Sequence, residues 1–132
     1  MLTAFLRHPR FAVRFALAGF GAWGKFHASS IVGNPDAQLV AITAPSEASR
    51  EEARKLYPEA QIYAHSLEMI AQTEFDIIDI ATPSHTHREI ALAAMAKGKH
   101  VLLEKPMAIT LEDCKAIVAG ARQYGVHLAV GH

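Results

Sequence analysis

Three glycines occur in the order Gly19-Phe20-Gly21-Ala22-Trp23-Gly24, directly after the apolar run RFALA and directly before a stretch with helical patterning. The chemistry that this spacing serves is the binding of a phosphate or diphosphate by main-chain amides. A strand that bends sharply into a helix leaves the first helical N–H groups without partners and places the positive end of the helix dipole behind them. Gly19 would allow the tight turn, Gly21 would let an anion approach the backbone, and Gly24 would let the helix pack close to the sheet. Phe20, Ala22 and Trp23 would line the same turn. Glycines mark ordinary turns as well, so the pattern gains meaning from the strand before it and the helix after it.

Two further segments carry residue types suited to chemistry. Ala81-Thr82-Pro83-Ser84-His85-Thr86-His87 closes the apolar run FDIIDIA. Pro83 has no amide hydrogen for a sheet ladder, so it stops the strand where a ligand crevice would open. Glu104-Lys105-Pro106 follows the apolar HVLL. A charged pair at the inner end of a buried strand is costly unless something occupies it. Lys105 could donate to a hydroxyl or carbonyl oxygen of a substrate, and Glu104 could accept from a ribose hydroxyl.

Other reactive side chains read more plainly. His85 and His87 form an HxH pair, but no third ligand has a metal-binding spacing, so no metal is expected. His87 is assigned to the edge of the ligand site and His85 to solvent. His27, one turn into the first helix, is expected to pack or hydrogen-bond rather than react. Cys114 lies on an apolar helix face, which suits a buried, inert thiol.

The elements that must position these residues alternate along the chain. Strand-like runs cover Val13–Ala18, Gln38–Thr43, Gln61–Tyr63, Phe75–Ala81, His100–Leu103 and His127–Val130. Most are apolar on both faces, as parallel strands covered on each side must be. Helical stretches cover Trp23–Val32, Ser46–Tyr57, Ser66–Ala71 capped by Ser66, Thr86–Lys97 and Thr110–Tyr124. In the last of these, Thr110 is the N-cap and Leu111, Cys114, Ile117, Val118 and Ala121 share one face. Strands alternating with helices predict an α/β fold: a Rossmann-type, doubly wound parallel sheet of about six strands in three αβα layers. In such sheets the ligand lies at the carboxyl ends of the strands, near the point where strand order reverses. Each segment named above falls at a strand end.

Bulk properties agree. The 132 residues are 51% hydrophobic and 20% charged, which suits a single globular domain rather than a disordered chain. Thirteen basic residues balance thirteen acidic ones, so nothing favours nucleic acid or an anionic membrane as a partner. One cysteine excludes an internal disulfide and points to a reducing, cytoplasmic setting. The first ten residues, MLTAFLRHPR, hold a short apolar run broken by Arg7 and Pro9, unlike a signal peptide. Residues 1–12 are read as an N-terminal arm and 13–132 as the ligand-binding domain.

A dinucleotide site usually carries an Asp or Glu roughly 20 residues beyond the last glycine, on the adenine ribose. Here the second strand ends in Ala44, followed by Pro45 and Ser46. The missing carboxylate leaves space for a 2′-phosphate and removes a charge that would repel it. Ser46, Ser49 and Arg50 are near enough in sequence to bind one, so the reading leans to NADP over NAD. The plainer alternative makes Ser46 an N-cap and Arg50 a solvated helix charge.

GFGAWGKFH at 19–27, ATPSHTH at 81–87, GKHVLLEKPM at 98–107 and VHLAVGH at 126–132 together resemble the N-terminal domain of the Gfo/Idh/MocA family, covering nearly the whole chain after residue 12. The resemblance implies NAD or NADP binding and hydride transfer to or from sugars, cyclitols and related carbonyl compounds. It places Gly19, Gly21, Ala22, Trp23 and Gly24 along the pyrophosphate, and Thr82, Pro83, Ser84 and His87 at the cofactor's border. Ser84 stands where Asn is more usual. Glu104, Lys105 and Pro106 would sit near the nicotinamide ribose and a small polyol or sugar-like substrate, with Lys105 as a catalytic group and a cis Lys105–Pro106 bond. The family's remaining catalytic residues lie in a second domain, absent from this chain, so cofactor binding without turnover is expected. The alternatives are a methyltransferase, against which Ala44 argues, and a dinucleotide-binding sensor. Substrate identity and oligomeric state, a homo-oligomer included, are left open.

Overall fold

The computed structural model describes residues 12–131; the expected N-terminal arm, apart from residue 12, and the terminal His132 lie outside them. Six strands form one sheet: β1 (Val13–Ala18), β2 (Ala37–Thr43), β3 (Gln61–Tyr63), β4 (Ile77–Ile80), β5 (His100–Glu104) and β6 (Leu128–Gly131). The helices between them are α1 (Ala22–Gly33), α2 (Glu47–Leu56), α3 (Ser66–Gln72), α4 (His87–Ala96) and α5 (Leu111–Tyr124). Every strand pair is parallel and the order is β3-β2-β1-β4-β5-β6, the doubly wound Rossmann arrangement. Strand order reverses between β1 and β4, so the chain leaves the sheet in opposite directions from these two neighbours and a crevice opens above them.

The alternation in β1 divides the core. Leu17 points to one face, where it joins Phe20, Ala28, Ile31, Leu39 and Ile42. Ala16 and Ala18 point to the other, against a cluster that includes Ile78, Ile80, Ala91, Ala94, Met95, Leu103 and Ile117. The large residues meet α1, while the methyl groups of Ala16 and Ala18 give room for the alanine-rich α4. Register between β1 and β2 shifts at Phe15/Ala16: Phe15 faces Leu39 and Ala16 faces Ala41, which leaves Val40 as an extra residue. Beyond that bulge the pairs run in step to Ala18 and Thr43, so both strands end at one level beneath the crevice.

Several boundaries differ from expectation for local reasons. β4 is shorter than Phe75–Ala81, because Asp76 turns its carboxylate to the main chain and side chain of Arg14, accepting from Arg14 N, Nε and Nη2. α4 does not begin at Thr86; a 3-10 turn over Ser84–Thr86 comes first, with the Thr86 hydroxyl donating to Pro83 O. Ser66 is not the cap of α3. His65 holds that position without a side-chain bond, and the Ser66 hydroxyl pairs instead with Thr43 Oγ1 at 3.1 Å. On α5, Ile117 and Ala121 are buried as the pattern requires, but Leu111 is 69% exposed and Cys114 is only half-buried. Thr110 is the expected N-cap, accepting from Asp113 N.

Candidate functional site

The glycine turn is held from three sides. Gly19 has φ +102°, a conformation that L side chains rarely adopt, and a Cβ there would lie 2.6 Å from Ala81 O. Its N–H is shared between Thr43 O and Thr43 Oγ1, both at 3.2 Å. A Cβ on Gly24 would collide with the carbonyl of Gly19, so the first turn of α1 sits directly on the bend. Gly21 differs: it is exposed, and a Cβ there would meet nothing within 4 Å. Among the described residues, nothing lies where a side chain at Gly21 would begin. Gly21 is also the N-cap of α1, with no side-chain cap bond and no acidic residue in the first turn, whereas α2 and α5 carry serine and threonine caps.

A crevice of about 840 Å³ opens over this turn. Of the residues singled out in the sequence, Gly19, Phe20, Gly21, Ala22, Trp23, Ala81, Thr82 and Pro83 line it. Gly24 is buried behind it. Thr43, Pro45, Ala64, His65, Ser66, Leu67, Thr86, Glu89 and Ile90 complete the walls and were not singled out for that role. Thr43 and the Ala64–Leu67 segment carry a signal that was available, since they end β2 and β3 at the carboxyl edge where ligands bind. Glu89 and Ile90 gave none; helix α4 brings them there.

The other expected residues take different places. His87 is 1% exposed and does not line the crevice. Its Nε2 lies 2.9 Å from Thr82 O and its Nδ1 3.1 Å from Met107 O, so the ring brackets the Thr-Pro turn against the loop after β5. The reading of His87 as a ligand edge is therefore replaced by one of a buried strut. His85 is exposed, as expected. Ser84 is half-buried in the 3-10 turn. Lys105 and Pro106 are exposed on the loop after β5, joined by a cis peptide bond.

Glu104 carries two hydrogen bonds within the chain. Its Oε2 accepts from Lys105 N at 3.1 Å, and its Oε1 lies 2.9 Å from His27 Nε2. The Nδ1 of His27 lies 2.7 Å from Oδ2 of Asp79, a carboxylate only 2% exposed. His27 thus hydrogen-bonds, as its position suggested, but between two acids that sequence spacing did not connect. Burial would push the His27 ring down; the hydrogen bonds and charges of Asp79 and Glu104 outweigh it and hold the ring above its ordinary value. Burial pushes Asp79 up, opposed by His27. Among the described residues no group of His, Cys, Asp and Glu is arranged to hold a metal ion, and no helix is long and apolar enough to cross a membrane.

At the end of β2, Ala44 is fully buried and offers only backbone. Ser46 caps α2, accepting from Ser49 N and donating to Ser49 Oγ. Arg50 is no solvated charge. Its Nη1 donates to Ala44 O and Pro45 O, and its Nε and Nη2 reach Glu47, whose carboxyl is thereby held below the usual range. The guanidinium is anchored at the end of β2 with an acid as its present partner.

Residues 13–132 match the model of an oxidoreductase family with an NAD-binding Rossmann fold, Gfo/Idh/MocA. The chain belongs to the Gfo/Idh/MocA family. It is 32% identical over 121 residues to the uncharacterised oxidoreductase YdgJ of Escherichia coli K12, covering 91% of this chain and 34% of that protein. It is 30% identical over 120 residues to scyllo-inositol 2-dehydrogenase (NAD(+)) of Bacillus subtilis 168, covering 90% and 35%. Among solved structures, the WlbA dehydrogenase of Bordetella pertussis in complex with NADH and UDP-GlcNAcA superposes with a TM-score of 0.86 at 33% identity, over 91% of this chain and 37% of that one. Biliverdin reductase of Synechocystis sp. PCC 6803, in complex with biliverdin and NADP+, superposes with a TM-score of 0.85 at 32% identity, over 91% and 38%. The chain spans about a third of the length of the curated relatives it matches.

Two outcomes follow from this geometry. Gly24→Ala lowers stability by about 1–3 kcal/mol in urea denaturation, because the backbone of Gly19 must shift to admit the methyl group; an unchanged midpoint would contradict the close crossing. The pH dependence has a definite sign. The folded values of His27 and Asp79 both lie above their ordinary values of 6.5 and 3.8, so the folded chain binds more protons than the unfolded one. The stability His27 contributes is complete below pH 6.5 and is lost as pH rises through its folded value. The thermal midpoint therefore falls from about pH 6 towards about pH 9, and a rise over that range would refute the assignment.

Proposed function

We propose that this chain binds a nicotinamide dinucleotide and forms the coenzyme-holding part of an oxidoreductase that moves hydride to or from a small polyol or sugar-like substrate. The observation that carries the reading is the vacant volume over Gly21, at the uncapped start of α1 and at the switch point of the sheet. A diphosphate there would accept from the first amides of α1 and meet the positive end of its dipole. Thr82 and Pro83 border the same crevice on the β4 side, and Trp23 and Phe20 on the other. The coenzyme supplies the hydride acceptor or donor. On the chain's side, Lys105 is the group assigned to hold or deliver a proton at the substrate oxygen, and its backbone N–H donates to Glu104.

The WlbA relative is complexed with NADH and the biliverdin reductase with NADP+, so the family accommodates both coenzymes. For this chain we propose a preference for NADP. The end of β2 has no carboxylate of its own, and Arg50 is fastened there to Ala44 O and Pro45 O. A 2′-phosphate would take the place of Glu47 on the guanidinium. Alone, the chain is proposed to bind coenzyme without oxidising polyols, since Lys105 is the only proton carrier that the reading assigns to it.

Fluorescence titration with NADPH and NADH tests these points. Gly21→Ala is expected to abolish binding of both coenzymes while leaving the thermal midpoint unchanged, since the methyl group fills only the space reserved for the diphosphate. Binding that survives Gly21→Ala would sink the reading. Arg50→Ala is expected to weaken NADPH by about tenfold, the scale of one charge-assisted bond, and to leave NADH nearly unaltered; tighter binding of NADH by the unaltered chain would overturn the preference.

A further inference from the structure

The body of α1 packs over β1 and β2, through Ala28 and Ile31 against Leu17, Leu39 and Ile42. His27 is the exception. Its ring passes over the switch point to β4 and to the end of β5, bonding Asp79 on the first and Glu104 on the second. One side chain therefore joins the helix that begins at Gly21 to the strand that ends in Glu104-Lys105-Pro106.

The bond pattern sets the proton inventory. Both ring nitrogens face carboxylate oxygens, and a neutral imidazole has one N–H to offer. With a single proton in the cluster, a lone pair would face an acid oxygen at hydrogen-bond distance. Two N–H groups satisfy both contacts and give the cluster a net charge of one negative unit. Asp79 makes this more demanding, because its Oδ1 is buried with no partner among the described residues, so the contact with His27 is the hydrogen bond that side chain has there. The ring is 20% exposed and its carboxylate partners 2% and 23%, so solvent compensates little. Asp79 and Glu104 are the charged groups that bear on the ring; on α1 itself Lys25 is paired with Glu52 of α2 at 2.8 Å.

We propose that His27, as an imidazolium clamped between Asp79 and Glu104, is a positioning residue that fixes the anion-binding start of α1 against the Glu104-Lys105 segment, and that losing its proton releases this tie. Its ring does not line the crevice over Gly21. It acts through Glu104, whose other oxygen holds Lys105 N, and through α1, whose first amides lie one turn before it. The assignment rests on the coenzyme-binding reading above for its effect on affinity, though not for the state of the ring.

Two measurements on the whole chain separate these. In the first, nitrogen NMR of histidine-labelled protein follows the His27 ring with pH, using His27→Gln to identify its signals. The ring is expected to keep hydrogens on both nitrogens above the ordinary histidine midpoint of about 6.5, and Glu104→Gln is expected to lower its titration. In the second, NADPH affinity is measured across the same pH range. It is expected to fall by about tenfold, an ordinary coupling strength, as the ring loses its proton, and that step is expected to vanish in His27→Gln. A ring that titrates at the ordinary midpoint and ignores Glu104→Gln would overturn the tie. An affinity profile identical in the unaltered chain and in His27→Gln would overturn the positioning role. If the ring behaves as expected but neither coenzyme binds at any pH, the function proposed above fails while the clamp between α1 and β5 stands.

Discussion

The approach of two bare backbones at one point governs the rest of the site. Gly19 turns with positive φ beneath Ala81 O, and Gly24 brings the first turn of α1 onto the carbonyl of Gly19. Side chains at either place would force the helix away from the sheet. Without them, the amides at the start of α1 stand at the boundary between β1 and β4, where the strand order reverses. The crevice is a consequence of that crossing, and its walls are whatever the neighbouring strand ends happen to carry.

Around this crossing, polar contacts join segments far apart in sequence. Thr43 takes the Gly19 amide and reaches Ser66, linking the ends of β1 and β2 with the start of α3. His87 spans Thr82 and Met107, and His27 spans Asp79 and Glu104. Each is a buried or half-buried group meeting partners on a different element or loop, and each would be costly if left alone. The apolar clusters on the two sheet faces hold the layers together, but these bonds set the level at which the strand ends meet.

The crevice walls and the Lys105 segment come from different loops at the carboxyl ends of the strands. The crevice is bounded by the glycine turn and the Thr-Pro turn together with larger side chains, among them Phe20, Trp23, Leu67 and Ile90. Lys105 is exposed on the loop after β5, the strand next to β4. The chain spans about a third of the length of these relatives.

Much of the fold was legible in the residues alone. Runs that are apolar on both faces, separated by capped amphipathic stretches, have few ways to bury themselves other than as a parallel sheet between helices, and the glycine spacing marks its first turn. The positions of Gly19, Gly21, Trp23, Thr82 and Pro83 at the crevice followed from lying at strand ends. What the linear order did not contain was which strand ends become neighbours on which side. That decided that His87 is a strut rather than a wall, that Glu104 is occupied, that Arg50 is anchored to carbonyls, and that His27 joins two acids 52 and 77 residues away. Local pattern is set by the period of the backbone and is printed in the sequence. Partnership among polar groups is set by how the closed sheet brings distant residues within about 3 Å, and only the folded chain specifies that.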